Sequence, residues 1–249
     1  MKKPGRKYTE VQSDQNLIRL NKYIANSGIC SRREADKFIE AGVVSVNGRV
    51  ITEMGYKIKT DDIVKFNDST IKNHKQKYLL LNKPKNYTSS FKDSFKKNSI
   101  MNLIRGKCRE NIFPIGKLDK RTTGLILFTN DNELTKKLTK KSLKIKSIYH
   151  VTLDKNLKDI DLKKIKSANW SEFNLKINEI AYASPHDKKE VGVEIFGPTK
   201  NVIEKIFKKY NYQTSKIDRV YYGGLTKKNL ARKESRFLTE EEISILKRQ

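Results

Sequence analysis

The stretch Phe113–Asp131, FPIGKLDKRTTGLILFTND, constrains this chain more than any other. It opens with a proline turn and a glycine, and Asp119 follows, bracketed by Lys117, Lys120 and Arg121. Gly124 then begins the apolar run Leu125–Phe128, which reads as a buried strand. An ionisable acid at the rim of such a strand, among cations, is a place where a working carboxylate can be kept charged beside an anionic substrate. A plain loop aspartate in a turn is the other reading of the spacing, and the rest of the chain decides between them.

Charge narrows the class of partner. The 249 residues suffice for two modest domains or one large one. They carry 54 Lys+Arg against 28 Asp+Glu, a formal net charge of +26. An excess of that size draws a protein to a polyanion, most simply nucleic acid, through counterion release. Anionic membrane is the competing partner, but no stretch is apolar enough to span a bilayer and no basic amphipathic helix stands out. Arg supplies 12 of the basic residues and Lys 42. Most of the charge therefore acts as general phosphate attraction, and the few forked guanidiniums merit individual inspection.

Two cysteines, Cys30 and Cys108, and three histidines, His74, His150 and His186, form no ligand spacing, so no metal site is expected. Reduced thiols suit a cytoplasmic protein. No glycine-rich phosphate loop and no dinucleotide fingerprint is present, so no nucleotide cofactor is expected. Residues 1–16 are basic, lack the apolar core of a signal peptide, and read as a flexible arm.

Residues 17–68 read as two short helices and a small sheet. Leu20, Tyr23, Ile24 and Ser27 share a helical face, and Gly28 supplies a left-handed stop. Ser31 with Glu34 makes a capping box for a second helix with a stripe of Ala35, Phe38 and Ile39, ended by Gly42. Val43, Val44 and Val46, the Asn47-Gly48 turn and Val50-Ile51 give a hairpin signal, and Ile63–Phe66 adds a short strand. Arg19, Lys22, Arg32, Arg33 and Lys37 lie at helix starts and exposed faces, where phosphate is favoured; a merely solvated charged face is the alternative.

Residues 69–77 are polar and read as a linker. Beyond them, strand patterns at Tyr78–Leu81, Leu125–Phe128, Tyr149–Leu153, Phe173–Ile180, Val191–Ile195 and Ile217–Tyr222 mix with helical patterns at Ile100–Ile104, Leu134–Leu138, Leu157–Ile165 and Val202–Tyr210. Thr239 and Glu242 cap a last helix that carries Ile243, Ile245 and Leu246. The absence of strict alternation argues for an α+β domain over 78–249 with a mixed, mainly antiparallel sheet.

IRLNKYIANSGICSRREADKFIEAGVVSVNGRVI resembles the alpha-L, or S-four, RNA-binding module. The resemblance implies that Arg32, Arg33 and Lys37 contact RNA, and Arg19 beside them. YLLLNKPKNYTSS, FPIGKLDKRTTGLILFTNDNELTKKLT, SIYHVTLDK and YQTSKIDRVYYGGLTKKNL resemble in order the blocks of ribosomal-RNA pseudouridine synthases that carry an N-terminal S-four domain. That resemblance implies a pseudouridine synthase catalytic domain, ribosomal RNA as partner, no cofactor, no metal and a monomer. It makes Asp119 the catalytic carboxylate and Tyr149 the ring that packs against the target uracil, with Leu118 and Ile217 lining the pocket. Lys117, Arg121 and Arg219 become RNA or site contacts.

Three positions depart from the family pattern. Lys117 stands where Arg is usual, which keeps the charge and loses the fork. Ser147 stands where Lys is usual. Glu204 falls where the family places an Arg that pairs with the catalytic Asp, with Lys205 next to it. An intact Asp119 block and Tyr149 favour an enzyme, and the first-module sequence, which resembles more closely the large-subunit branch, points to large-subunit rRNA as its substrate. Glu204 favours the second hypothesis, a weakened or inactive RNA-binding ribosome-assembly factor of the same fold.

Overall fold

The structure is a computed structural model that describes residues 17–27, 29–30, 32–59, 61–71, 75–90, 95–140, 144–198 and 201–249. The basic arm 1–16, the stop at Gly28 and the cap at Ser31 lie outside the described residues. The chain divides into two compact units, Met1–His74 and Lys75–Gln249.

In the first unit, β1 (Ile18–Arg19) leads into α1 (Leu20–Asn26), and α2 (Arg32–Glu40) follows. Gly42, with a φ of +72°, turns the chain into β2 (Val44–Val46). β3 (Arg49–Val50) returns beside β2 through Asn47 and Gly48, whose φ values of +50° and +83° both lie in the left-handed region that a tight hairpin demands. β4 (Lys57–Ile58) pairs with β1, while β5 (Val64–Phe66) and β6 (Ser69–Thr70) complete a sheet of order β3-β2-β5-β6. Leu20, Ile24, Ala35, Ile39, Val44 and Val64 close the core under the two helices. The expected linker 69–77 therefore begins too early: Ser69 and Thr70 pair with β5, and Ile71 is buried in this core. Polar composition concealed the strand because its side chains face solvent, and its register comes from the backbone.

The second unit is built on one nine-stranded sheet. Its elements are β7 (Tyr78–Lys83), α3 (Ile100–Ile104), β8 (Phe113–Ile115), β9 (Thr123–Thr129), α4 (Asn132–Lys140), β10 (Lys146–Leu153), α5 (Asp159–Ser167), β11 (Lys176–Tyr182), β12 (Glu190–Phe196), α6 (Val202–Lys209), β13 (Thr214–Tyr222), β14 (Leu225–Thr226), β15 (Ser235–Phe237) and α7 (Glu240–Arg248). The order is β11-β12-β10-β13-β9-β7-β15, with β8 on β9 and β14 on β13. Every pairing is antiparallel except β13 with β9. The fold is thus α+β, and the described residues contain seven helices.

The sheet has two kinds of strand, and the sequence patterns separate them. β7 and β9 are covered on both faces. Leu80, Leu125 and Leu127 pack with Leu134, Leu138 and Leu246 on one side, whereas Leu79, Leu81, Ile126 and Phe128 pack with Ile100 and Ile104 on the other. Unbroken apolar runs are the consequence. β10 and β12 bury only one face, carrying Val151, Leu153, Val191, Val193 and Ile195 beneath α5 and α6, so their side chains alternate. Two boundaries shift. The helix read from Leu157 begins at Asp159, and the strand read from Phe173 begins at Lys176. Phe173 instead ends a 3-10 turn and stacks on Trp170 with ring centroids 6.1 Å apart.

Candidate active site

Asp119 lies half-buried in the loop between β8 and β9, where that loop meets β13. Its Oδ1 accepts the backbone N–H groups of Arg121 (2.9 Å) and Thr122 (2.7 Å), and its Oδ2 accepts the Thr122 hydroxyl (2.7 Å). Three donors from two residues, Arg121 and Thr122, hold the carboxylate in one orientation, as an Asx turn does. The loop is anchored from behind by Ser89. Its hydroxyl donates to the Leu118 carbonyl at 2.5 Å and receives the Leu118 N–H at 3.0 Å.

Below the loop sits Lys83, the last residue of β7 and fully buried. Its ammonium donates to the carbonyls of Thr122 (2.6 Å) and Pro84 (3.2 Å), with the Lys120 carbonyl at 3.5 Å. Sequence reading passed over Lys83 as a strand end. The usable signal was a lysine that closes an otherwise apolar strand immediately before a proline. Burial pulls its ammonium down to about 8 from 10.5, and the Asp119 carboxylate pulls the other way. The folded state therefore holds this proton less tightly than the unfolded chain does. The cost of the buried ammonium is present below about pH 8 and is relieved as pH rises toward 10.5. Stability of the protein relative to a Lys83→Met variant should rise between pH 8 and pH 10, by up to about 3 kcal/mol. Denaturant unfolding of both proteins across that range measures it, and a flat difference would contradict it.

Tyr149, on β10, is buried at 1% exposure. Its partner across the β10–β13 ladder is Arg219, and Val151 pairs with Ile217 on the same ladder. Tyr149, Ile217 and Arg219 therefore share one face of the sheet. Leu118 is buried with Ile126 and Phe128 in a separate core cluster, and its backbone anchors the Asp119 loop to Ser89.

Arg219 is itself 1% exposed. Its Nε donates to the Leu125 carbonyl at 2.7 Å, its guanidinium lies 4.4 Å from the centre of the Tyr222 ring, and its Nη2 has no hydrogen-bond partner among the described residues. Gly124 makes room for this strand. A Cβ there would stand 2.2 Å from the Arg219 carbonyl oxygen, and the φ of +105° is one that other residues avoid.

Glu204, on α6, reaches back to the same loop. Its Oε1 is 3.1 Å from Nη1 of Arg121. Lys205 is not a substitute cation for Asp119, because its ammonium sits 5.3 Å from the centre of the Phe173 ring. Lys146, beside Ser147, pairs with Glu194 at 2.9 Å. Arg121 borders two cavities. One, about 500 Å³, is lined with it by Glu204, Lys208, Tyr212 and Thr214. The other, about 450 Å³, is lined with it by Lys85, His150, Lys216 and Arg232.

The cradled carboxylate, in the loop that leads into the strand paired with that of Arg219, falls within the span of a known family. The family model described as RNA pseudouridylate synthase matches residues 77–245. The chain belongs to the RNA pseudouridine synthases. A second family model, the S4 domain, matches residues 18–64. Among relatives, the ribosomal large subunit pseudouridine synthase B of Bacillus subtilis is 29% identical over 239 residues, covering 93% of this chain and 96% of that protein. The dual-specificity RNA pseudouridine synthase RluF of Shigella flexneri is 41% identical over 145 residues, which is 57% of this chain and 49% of that relative. A crystal structure of a pseudouridylate synthase shares the fold, with a TM-score of 0.60, 24% identity, and coverage of 92% of this chain and 99% of that one.

In this synthase the S4 domain and the catalytic fold both imply RNA as partner. Arg33 and Lys37 are exposed four residues apart on α2, so they share a helical face; Arg32 is half-buried, and Arg19 is exposed on β1. Lys117 is exposed in the Asp119 loop. Among the described residues, no helix of the synthase is long and apolar enough to cross a membrane.

Proposed function

We propose that this synthase converts a specific uridine of ribosomal RNA, in the large subunit, to pseudouridine, with Asp119 as its catalytic carboxylate. The observation that carries the reading is the three-donor cradle around Asp119, at the point where the loop meets the strand of Arg219. The reaction is an isomerisation. The bond between N1 of uracil and C1′ of ribose breaks, the base turns, and C5 bonds to C1′; the proton on C5 leaves and N1 gains one. No redox partner is needed, but a carboxylate has to act at the sugar or base as nucleophile or base. Asp119 is held for that task by groups belonging to its own loop.

A uridine within folded RNA is unreachable until it is flipped out. Tyr149 is the ring we assign to the flipped base, and Ile217 packs beside it. Because that ring is buried, the base has to displace the side chains that cover it. Arg19, Arg32, Arg33 and Lys37 are the RNA contacts of the S4 domain in this reading, and Lys117, Arg121 and Arg219 those of the catalytic domain. The large subunit is favoured by the near full-length similarity to a synthase named for that subunit.

The second reading, an RNA-binding assembly factor without activity, is favoured by Glu204. Mapping of modified uridines in rRNA incubated with the protein tests the two. Pseudouridine at a defined large-subunit position is expected. Unmodified RNA of both subunits, bound tightly by the protein, would establish the second reading.

A further inference from the structure

We infer that Glu204 is a positioning residue that acts through Arg121 to set the Asp119 carboxylate, holding the Arg121 side chain while the Arg121 backbone holds the acid. This rests on the activity proposed above. α6 has little freedom to roll, since Val202, Ile203, Ile206 and Phe207 are all buried. Glu204 is thereby directed sideways, and its Oε1 meets the Arg121 guanidinium at 3.1 Å. Arg121 is also bound to Asp119 through its main chain, whose N–H lies 2.9 Å from Oδ1. One residue thus joins helix and carboxylate, by its side chain to the first and its backbone to the second.

The neighbouring groups leave this task to that pair. Lys205 is occupied on the Phe173 ring, and Lys83 spends its ammonium on backbone carbonyls beneath the loop. Without Arg121, the Glu204 carboxylate would stand bare in the cavity that both residues line, repelling phosphate and Asp119 alike. With Arg121 in place it is neutralised, and the guanidinium still has donors for a phosphate at the border of both cavities. The pair is exposed, with 71% of the Arg121 and 39% of the Glu204 side chain accessible, so it adds little to folding. Its value is orientation.

Charge exchange tests this. Arg121→Glu and Glu204→Arg each replace the attraction with repulsion, and the double exchange rebuilds it with reversed sign. Each single variant should lose kcat by about tenfold or more with the thermal midpoint little changed, and Arg121→Glu should also raise KM because it removes an RNA contact. The double variant should recover kcat to within about threefold of the starting protein. A second readout does not depend on turnover: the backbone amide signals of Arg121 and Thr122 should shift in each single variant and return in the double. Additive losses, with amide signals that fail to return, would overturn the positioning role. If the unaltered protein forms no pseudouridine, the activity reading fails, while the amide signals still decide whether the pair sets the loop.

Discussion

Asp119→Asn should abolish pseudouridine formation, by at least about 10⁴-fold, while the fold and the RNA affinity stay near those of the unaltered protein. The reason lies in how the carboxylate is held. Asparagine is isosteric, and its amide oxygen can still accept the N–H groups of Arg121 and Thr122. Its NH₂ then faces the Thr122 hydroxyl, which rotates to accept instead of donate. The loop therefore survives, but the group that attacks or takes a proton is gone. Asp119→Ala removes the acceptor as well, so it should lose activity equally and lower the thermal midpoint too. Turnover on rRNA, RNA binding and thermal unfolding of the two variants separate these effects. Activity in Asp119→Asn within tenfold of the starting level would remove Asp119 from the chemistry.

Gly124→Ala should destabilise the second unit by about 3 kcal/mol or more, lowering its thermal midpoint by roughly 6–12 °C. Two costs combine. The φ of +105° is one that alanine rarely adopts, and the new Cβ would lie 2.2 Å from the Arg219 carbonyl oxygen and 2.6 Å from its nitrogen. Neither neighbour is a flexible side chain that can swing aside. Both are backbone of β13, which meets β9 in register only at Asp218 with Thr123 and Arg219 with Gly124. That short parallel seam joins the half of the sheet covered on both faces to the half covered on one. Prising it apart would also displace Arg219 and the Asp119 loop, so activity should fall with stability. Calorimetry measures the shift, and a change below about 2 °C would show that the strands separate at little cost.

Much of the site was legible because its signals are local. The Phe113–Asp131 stretch carried Asp119, the glycine and the buried strand in one run of residues. Alternation at Tyr149, Val151 and Leu153 marked a strand with one covered face, and that is the burial found. The stripe on α6 marked its packed side, so Glu204 was recognisable as a residue off that stripe. Lys83 was missed because a lysine is ordinarily an exposed residue. Its three carbonyl partners come from a turn and a loop that converge only in the fold.

The amino-acid order by itself determined the two-part architecture and the α+β class, since each depends on periodicity or on neighbours within a few positions, and it singled out Asp119 as the candidate carboxylate. Tertiary structure alone decided what stands around that carboxylate. Glu204 meets Arg121 across 83 positions, and Arg219 reaches the Leu125 carbonyl across 94. Contacts at that range follow from strand order and helix roll, which arise when whole buried faces find one another, and no local pattern encodes them. At Phe113–Asp131, the sequence singled out the acid, and the fold showed that the residue two positions on meets it through its backbone and Glu204 through its side chain.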